Sequence, residues 1–160
     1  MPAGAIGADE DRFQVLQGDI ISTESAYFLG ERITGSPLFA VLSSTCDLVP
    51  KRGDHASLLR MGPLHGSTEE TKRTLQILLS FKSRRDLYLP PIADEDPTAL
   101  GYAVRFDGIA QIKLEDLLLA RRVRPLSLAG WRIFGSFARV LIARSTDGEV
   151  RLRSLRSGGA

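Results

Sequence analysis

The chain has little cysteine: Cys46 is the one thiol among 160 residues. A single thiol excludes a disulfide within the chain, and with His55 and His65 as the other strong ligands a zinc site would need added carboxylates. No apolar run approaches the roughly 20 residues that cross a bilayer. The start "MPAGAIGADEDRF" also lacks the basic and apolar segments of a secretory signal. We therefore expect a cytoplasmic protein without a metal, a cofactor or a membrane contact.

The chain also has little net charge, +2, but its distribution is uneven. Nine arginines lie from Arg121 to the end, against Asp147 and Glu149. Such a basic third can bind a nucleic-acid backbone, and the binding would then weaken steeply with salt. It can equally be a solvated helix face followed by a basic tail. Both interpretations stay open at the sequence level.

The length and a hydrophobic content of 43% predict one domain with short appendages. Residues 1–12 are rich in glycine, alanine and acids, and we expect a disordered arm there. Residues 13–143 are the predicted domain, and residues 144–160 are a predicted basic tail. No internal repeat is visible.

Short apolar segments predict a mainly β fold. The segments are "FQVLQGDIIS", "SAYFLG", "LFAVLSS", "HASLLRMGPL", "LYLPPI" and "GYAVRFDGIAQIK", the last in two pieces broken near Asp107-Gly108. "LFAVLSS" is apolar at both alternating sets of positions, which indicates a central strand that is buried on both faces. Because crossover helices between these segments are missing, a small, partly open barrel fits better than a βαβ sheet.

Three segments change to helical spacing. An inserted helix is predicted within 68–86, with Ser67 or Thr68 as its N-cap. "LEDLLLARR" predicts a short helix, and "SLAGWRIFGSFARVLIAR" predicts a longer one with Trp131, Phe134, Ala138 and Leu141 on one stripe. We expect the longer helix to pack on the sheet or on a second copy through Trp131, Phe134 and Phe137. The fold class is thus α+β, mainly β, with C-terminal helices.

Polar residues follow the strongest predicted strand. Ser44, Thr45, Cys46 and Asp47 come directly after "AVLS" and can contact a ligand or RNA. A covalent role for the thiol is disfavoured, since a carboxylate beside it raises its pKa. The structural interpretation makes Asp47 a turn former and Cys46 a small buried apolar residue. Lys51 and Arg52, in the next turn, add positive charge to the same candidate surface.

The order of these segments resembles that of the MazF and PemK toxin family over residues 13–120. Gly18-Asp19-Ile20-Ile21 is similar to the Gly-Asp-hydrophobic signature of the family's opening strand. The run from Pro37 to Ser43, "PLFAVLS", is similar to a later Pro-hydrophobic-Ser strand, and "DGIAQI" at 107–112 resembles the late "DQI" strand.

This resemblance implies an SH3-like β-barrel, usually a homodimer, that cleaves single-stranded RNA without a metal and has an antitoxin as partner. It also implies that Arg32 and a hydroxyl of Ser67 or Thr68 are catalytic. The family places its arginine directly before the strand proline, whereas Ser36 stands there in this chain and Arg32 lies five residues before Pro37.

Three functions remain open. The first is RNA binding with metal-independent cleavage, for which Arg32 would hold the developing charge on the phosphate. The second is a non-catalytic module that binds nucleic acid or a protein partner within a larger, defence-type assembly, with Arg121, Arg122 and Arg124 as candidate contacts. The third is a sensor of a small molecule or modified base around "SSTCD". The first two require the segments around Gly18 and Pro37 to be neighbours in one sheet.

Overall fold

The computed structural model describes residues 15–35, 37–48, 53–66, 68–83, 85–92 and 94–142. The predicted arm and tail, together with Ser67, Lys51 and Arg52, lie outside these described residues. The architecture is mixed α+β, mainly an antiparallel sheet with a few helices, which confirms the predicted fold class at that level.

Eight strands and three helices follow one another along the chain. In order they are β1 (Ile20–Ser22), β2 (Tyr27–Phe28), β3 (Glu31–Arg32), β4 (Leu38–Val41), β5 (His55–Pro63), α1 (Glu69–Leu79), β6 (Asp86–Leu89), β7 (Tyr102–Lys113), α2 (Leu114–Leu119), β8 (Arg121–Arg124) and α3 (Leu128–Ile142).

All eight strands belong to one antiparallel sheet, in which seven follow the order β3-β2-β7-β5-β4-β1-β8 and β6 pairs with β7 beside them. The long strand β7 pairs along β5 on one side, and on its other side first with β6 and then with β2. Within the described residues no pairing joins the end strands β3 and β8, so the sheet is open there.

The predicted neighbours around Gly18 and Pro37 are confirmed as paired strands. β1 and β4 pair antiparallel, with Ile20 opposite Ala40 and Ile21 opposite Phe39. The turn before β1 needs Gly18, whose φ is +88°. A Cβ at Gly18 would also lie 2.9 Å from Leu126 Cδ1 and 3.6 Å from Trp131 Cδ1, so the glycine lets these two side chains approach.

Both faces of the central strands are buried, as the pattern of "LFAVLSS" predicts. On one face, here called the α3 side, Ala40 and Leu59 pack with Phe134 of α3. On the opposite face, the α2 side, Phe39 and Leu58 pack with Leu117 of α2, among others. Residues that alternate along one strand therefore enter two different cores, because successive side chains point to opposite faces.

The C-terminal half differs from the sequence prediction in two places. β7 is one strand of 12 residues, and the predicted break near Asp107-Gly108 is instead a register shift where its pairing with β5 passes from Leu59 to Arg60. The predicted helix "LEDLLLARR" ends at Leu119, and Arg121 begins β8 beside β1. Hydrogen bonding to the edge of β1 outweighs the helical preference of this basic segment.

Helices α1 and α3 agree with their sequence signals. Thr68 is the N-cap of α1, and its side chain accepts a hydrogen bond from the backbone N–H of Thr71. In α3, Phe134 is fully buried and Phe137 packs beside it against Phe106, as predicted. Trp131, by contrast, is 43% exposed. Among the described residues, no helix is both long enough and apolar enough to cross a membrane.

Candidate nucleic-acid interface

A row of polar side chains crosses four strands on the α3 side of the sheet. Arg32 on β3 lies opposite Tyr27 on β2, Tyr27 lies opposite Gln111 on β7, and Gln111 lies opposite Ser57 on β5. Directly paired residues in antiparallel strands point to the same face, so these side chains are neighbours. His55 and Lys113 form another directly opposite pair, two residues away from Ser57 and Gln111 on the same two strands, and therefore lie on the same face. We call these six residues the sheet platform.

The platform is open, while the residues between its members are buried. Tyr27 is 44% exposed, and Arg32, Gln111 and Lys113 are exposed as well. Ala110 and Ile112, which alternate with them, are buried on the α2 side. The core residues thus fix the backbone of β7 and hold the platform side chains outward.

The electrostatics of the platform favour an anion. The Arg32 Nε donates a 2.6 Å hydrogen bond to the carbonyl oxygen of Glu24, which leaves its terminal nitrogens as donors for a ligand. Within the described part of the chain Arg32 has no carboxylate partner. Lys113 Nζ lies 3.8 Å from Glu115 Oε1 on the surface, a distance that contributes little in water.

A pocket of about 420 Å³ adjoins the platform at the end that carries His55 and Lys113. Its remaining lining includes Asp54, Glu115 and the apolar side chain of Leu118. Imidazole, carboxylate and ammonium groups beside an apolar wall can hydrogen-bond and stack against a flat heterocycle. The pocket extends the platform by the size of a small ring system.

The structure does not bring together the two residues that the family resemblance makes catalytic. Arg32 belongs to the row that ends at Ser57, whereas Thr68 follows the far end of β5 at Pro63. Ser57 and Pro63 are six residues apart on one strand, which corresponds to roughly 20 Å. The Thr68 hydroxyl caps α1 and lies 3.0 Å from the Thr71 hydroxyl. Ser67 lies outside the described residues.

The polar tetrad after β4 forms a single turn of 3-10 helix, Thr45–Asp47, preceded by Ser44. The Thr45 Oγ1 accepts a 3.0 Å hydrogen bond from the backbone N–H of Gln17. The Cys46 side chain is exposed, so its prediction as a buried apolar residue is wrong. The chain turns here through backbone hydrogen bonds such as Asp47 N–H to the Ser44 carbonyl, which places the whole tetrad on the surface.

The three predicted arginine contacts on β8 are each paired with a carboxylate. Arg121 makes a bidentate pair with Glu95 at 2.6 and 2.8 Å, and Arg124 pairs with Asp94. Arg122 is mostly buried: its terminal nitrogen donates to Asp19 Oδ1 at 3.0 Å. The Arg122 Nε lies 2.8 Å from Asp19 Oδ2, close enough for an ion pair but not aligned as a hydrogen bond. Their positive charge is largely neutralised within the protein.

Two carboxylates in the loop between β6 and β7 have lowered pKa values, and a tyrosine at the start of β7 has a raised one. The hydrogen bond from Arg121, which outweighs the effect of burial, lowers the pKa of Glu95 below its ordinary value of 4.5. The Thr98 side chain and backbone lower the pKa of Asp96 in the same way. Burial raises the pKa of Tyr102, whose hydroxyl has no hydrogen-bond partner among the described residues. These groups stabilise the loop and lie away from the platform.

No cluster of three or more histidine, cysteine or acidic side chains suits a metal ion in the described ranges. Comparison with known proteins gives no family model, no curated protein and no solved structure that matches the chain.

Sequence reasoning identified Arg32 but missed the residues beside it. Gln111 and Lys113 alternate with the apolar Ala110 and Ile112, a signal of one exposed face that is readable in the sequence. Tyr27 has no such signal, because its position depends on the pairing of β2 with a strand more than eighty residues later in the chain.

Proposed function

We propose that the chain binds single-stranded RNA through the sheet platform. The observation that supports this function is the row of Arg32, Tyr27 and Gln111 on the uncovered part of the sheet. An exposed aromatic ring flanked by guanidinium and amide groups is the combination by which β-sheet modules bind unpaired bases.

Each platform residue has a distinct expected contact. The Tyr27 ring stacks on a base, since every base has an apolar face and stacking needs no particular sequence. Arg32 and Lys113 bind phosphates on either side, with Arg32 able to make two parallel hydrogen bonds. Gln111 has both a donor and an acceptor, which suits the edge of a base.

The family resemblance also predicts an SH3-like barrel, a homodimer and an antitoxin partner, and the composition predicts a cytoplasmic location. These four features stay predictions. RNA binding needs none of them, because the platform lies on one chain. The open face of the sheet is compatible with a small, partly open barrel, the architecture for which single-stranded nucleic acid is a frequent ligand.

Binding is tested by the fluorescence anisotropy of labelled single-stranded RNA at low salt with a chelator present. We expect Tyr27→Ala to weaken binding about fivefold or more, the effect of losing one stacked base. Tyr27→Phe keeps the ring and should bind as the wild type does. Arg73→Ala removes an exposed arginine from α1, on the opposite side of the sheet, and should also leave the affinity unchanged.

Two results would remove the proposed function. One is an absence of RNA binding by the folded wild-type protein. The other is an equal loss of affinity for Tyr27→Ala and Arg73→Ala, because binding that responds to any surface substitution does not use the platform.

Metal-independent RNA cleavage is the second candidate, and the observation that favours it is that Arg32 and His55 lie on one face. His55 would accept the proton of a 2′-hydroxyl, whose oxygen then bonds to phosphorus and forms a 2′,3′-cyclic phosphate as the bond from phosphorus to the 5′-oxygen breaks. Arg32 would stabilise the charge on the phosphate, and water would protonate the departing 5′-oxygen. Thr68 would have no part in this arrangement. Incubation of the same RNA in chelator, with Arg32→Ala and His55→Ala beside the wild type, tests it. Intact RNA in all three samples leaves a binding module without cleavage.

A further inference from the structure

A second feature on the α3 side is a cleft between helix α3 and the end of β4. It has a volume of about 600 Å³ and is lined by Gln17, Leu42, Trp131, Arg132, Gly135, Ser136, Ala138 and Arg139. We call it the α3 cleft. Gln17 is held at its rim by two hydrogen bonds, from its side-chain nitrogen to the Leu42 carbonyl and from its backbone N–H to Thr45 Oγ1.

Trp131 supplies an aromatic wall to the α3 cleft. The side chain is 43% exposed, although Phe134 and Ala138 of the same stripe are buried. One edge of the indole lies against the turn at Gly18, where a Cβ would be 3.6 Å from Trp131 Cδ1. The ring is therefore supported from behind and accessible in front, a condition that favours stacking over free rotation.

Arg132 and Arg139 lie on helix α3, and the surface between them is not covered by side chains of other described residues. Arg132 and Arg139 are both exposed, and neither has a carboxylate partner in the part of the chain that the structure describes. They are seven residues apart, which places them about 10 Å from each other along the helix axis. Gly135 lies between them, and a Cβ at this position would meet no atom within 4 Å.

The cleft and the sheet platform lie on the same face and adjoin each other. Leu42, at the cleft, donates its backbone N–H to the carbonyl of Ser57, one of the two platform residues on β5. From β4 to β3 the path crosses four strand spacings, which amount to roughly 19 Å. An extended strand of nucleic acid that lies across the platform can therefore continue into the cleft.

We propose that the α3 cleft binds a second segment of the same single-stranded RNA, with one base stacked on Trp131 and neighbouring phosphates on Arg132 and Arg139. This inference rests on the proposed function and names where the strand leaves the platform. Unpaired arginines beside an exposed indole suit a polyanion with flat bases better than an apolar or acidic peptide, because a peptide of either kind uses one of these features and not both.

Trp131 is the single tryptophan of the chain, so its fluorescence reports on the cleft alone. Two RNA probes separate the surfaces: an oligomer of about 4 nucleotides and one of about 12, both within the range of site sizes of small single-strand binders. We expect the longer oligomer to quench Trp131 and the shorter one to bind with little quenching. Trp131→Ala should weaken the longer oligomer about fivefold or more, and Arg132→Gln/Arg139→Gln should weaken it while leaving the shorter one unchanged.

The outcomes distinguish this inference from the proposed function. If the longer oligomer binds in a Tyr27-dependent manner without quenching Trp131, and the double arginine variant binds it normally, the cleft proposal is overturned and the platform stands. If the quenching persists in Tyr27→Ala at unchanged affinity, the cleft stands and the platform is overturned. Absence of any RNA binding overturns both. Circular dichroism of each variant checks that a loss of binding is not a loss of fold.

Discussion

At the residue scale, the contacts of Gly18 and Asp19 explain why these two residues occur immediately before β1. Gly18 lies in the turn that precedes β1, and it also gives Leu126 and Trp131 room to approach. The Gly-Asp pair that resembles a family signature thus has a local physical reason here: the glycine allows the turn, and Asp19 is the buried partner of Arg122. Asp19 also accepts a 2.7 Å hydrogen bond from the Leu16 backbone N–H, which closes the same turn.

Gly101 lies where strand β6 approaches the backbone too closely for a side chain. A Cβ there would lie 2.3 Å from Tyr88 Cε2 and 2.8 Å from the Leu89 carbonyl oxygen, and its φ is +151°. Gly101→Ala should therefore lower the free energy of unfolding by about 3 kcal/mol or more, through overpacking and backbone strain. Urea denaturation followed by circular dichroism measures the change.

Gly135→Ala is the matched control for that substitution. It adds the same methyl group inside α3, where nothing lies within 4 Å. We expect it to raise stability by about 1 kcal/mol, because alanine is the better helix former. Equal effects of the two substitutions would mean that the close approach of β6 to Gly101 is not what the glycine permits.

At the scale of elements, the loop before β7 is held to β8 by two ion pairs. Glu95 pairs with Arg121, and Asp94 with Arg124. The Glu95 side chain is 17% exposed, so its pair is better shielded than a typical surface pair. This arrangement fixes the loop against the edge strand and makes the attachment sensitive to acid.

The stability that Glu95 confers decreases as the pH is lowered. Because the pKa of Glu95 is lower in the folded state than its ordinary 4.5, the unfolded chain takes up the proton first as the pH falls. The contribution of Glu95 to the free energy of unfolding is fully present above the pKa of the unfolded state. It is lost as the pH falls through the pKa of the folded state. Asp86 acts in the opposite direction, since burial raises its pKa above 3.8.

We therefore expect Glu95→Gln to show a smaller drop in melting temperature than the wild type between about pH 6 and pH 3. Glu69→Gln is the control, because the Glu69 carboxylate is 89% exposed in its pair with Lys72. Thermal melts across this pH range measure the difference. A drop in Glu95→Gln as large as in the wild type would contradict a stabilising role for the pair with Arg121.

The sequence predicted those elements whose signals are local. The N-cap at Thr68, the burial of Phe134 and Ala138 in α3 and the doubly apolar β4 follow from local spacing, and the structure has all three. β8 was missed because a short basic segment becomes a strand only through its pairing with β1, about a hundred residues earlier. Of the hairpin formed by β2 and β3, the apolar segment "SAYFLG" predicts the first strand, and no local signal predicts the second.

The candidate site was predictable to a smaller extent for the same reason. Arg32 was identified, but its neighbours Tyr27, Gln111 and Ser57 come from three other strands and meet only in the register of the sheet. Arg121, Arg122 and Arg124 look available in sequence, yet their partners Glu95, Asp19 and Asp94 lie 26 to 103 residues away. No spacing rule connects groups at such separations.

At the scale of the whole molecule, two of the arginine-bearing surfaces differ in whether their arginines are paired with carboxylates. On β8 and its loop the arginines are paired, so a nucleic acid there would gain little from releasing counterions. On the α3 side, Arg32, Arg132 and Arg139 have no carboxylate partner within the described residues, and one sheet face connects them. The net charge of +2 conceals this difference, because it sums over the whole chain.

Salt dependence of RNA binding measures which surface the strand covers. Each lost phosphate contact should reduce the slope of log K against log salt by about 0.7 for a single strand. We expect such a reduction for Arg32→Gln, and again for Arg132→Gln and Arg139→Gln when the longer oligomer is bound. The double variant Arg121→Gln/Glu95→Gln removes a neutralised pair and should leave the slope as it is. If that variant flattens the slope as much as Arg32→Gln does, RNA lies across β8, and the division of charge between the two surfaces does not determine where it binds.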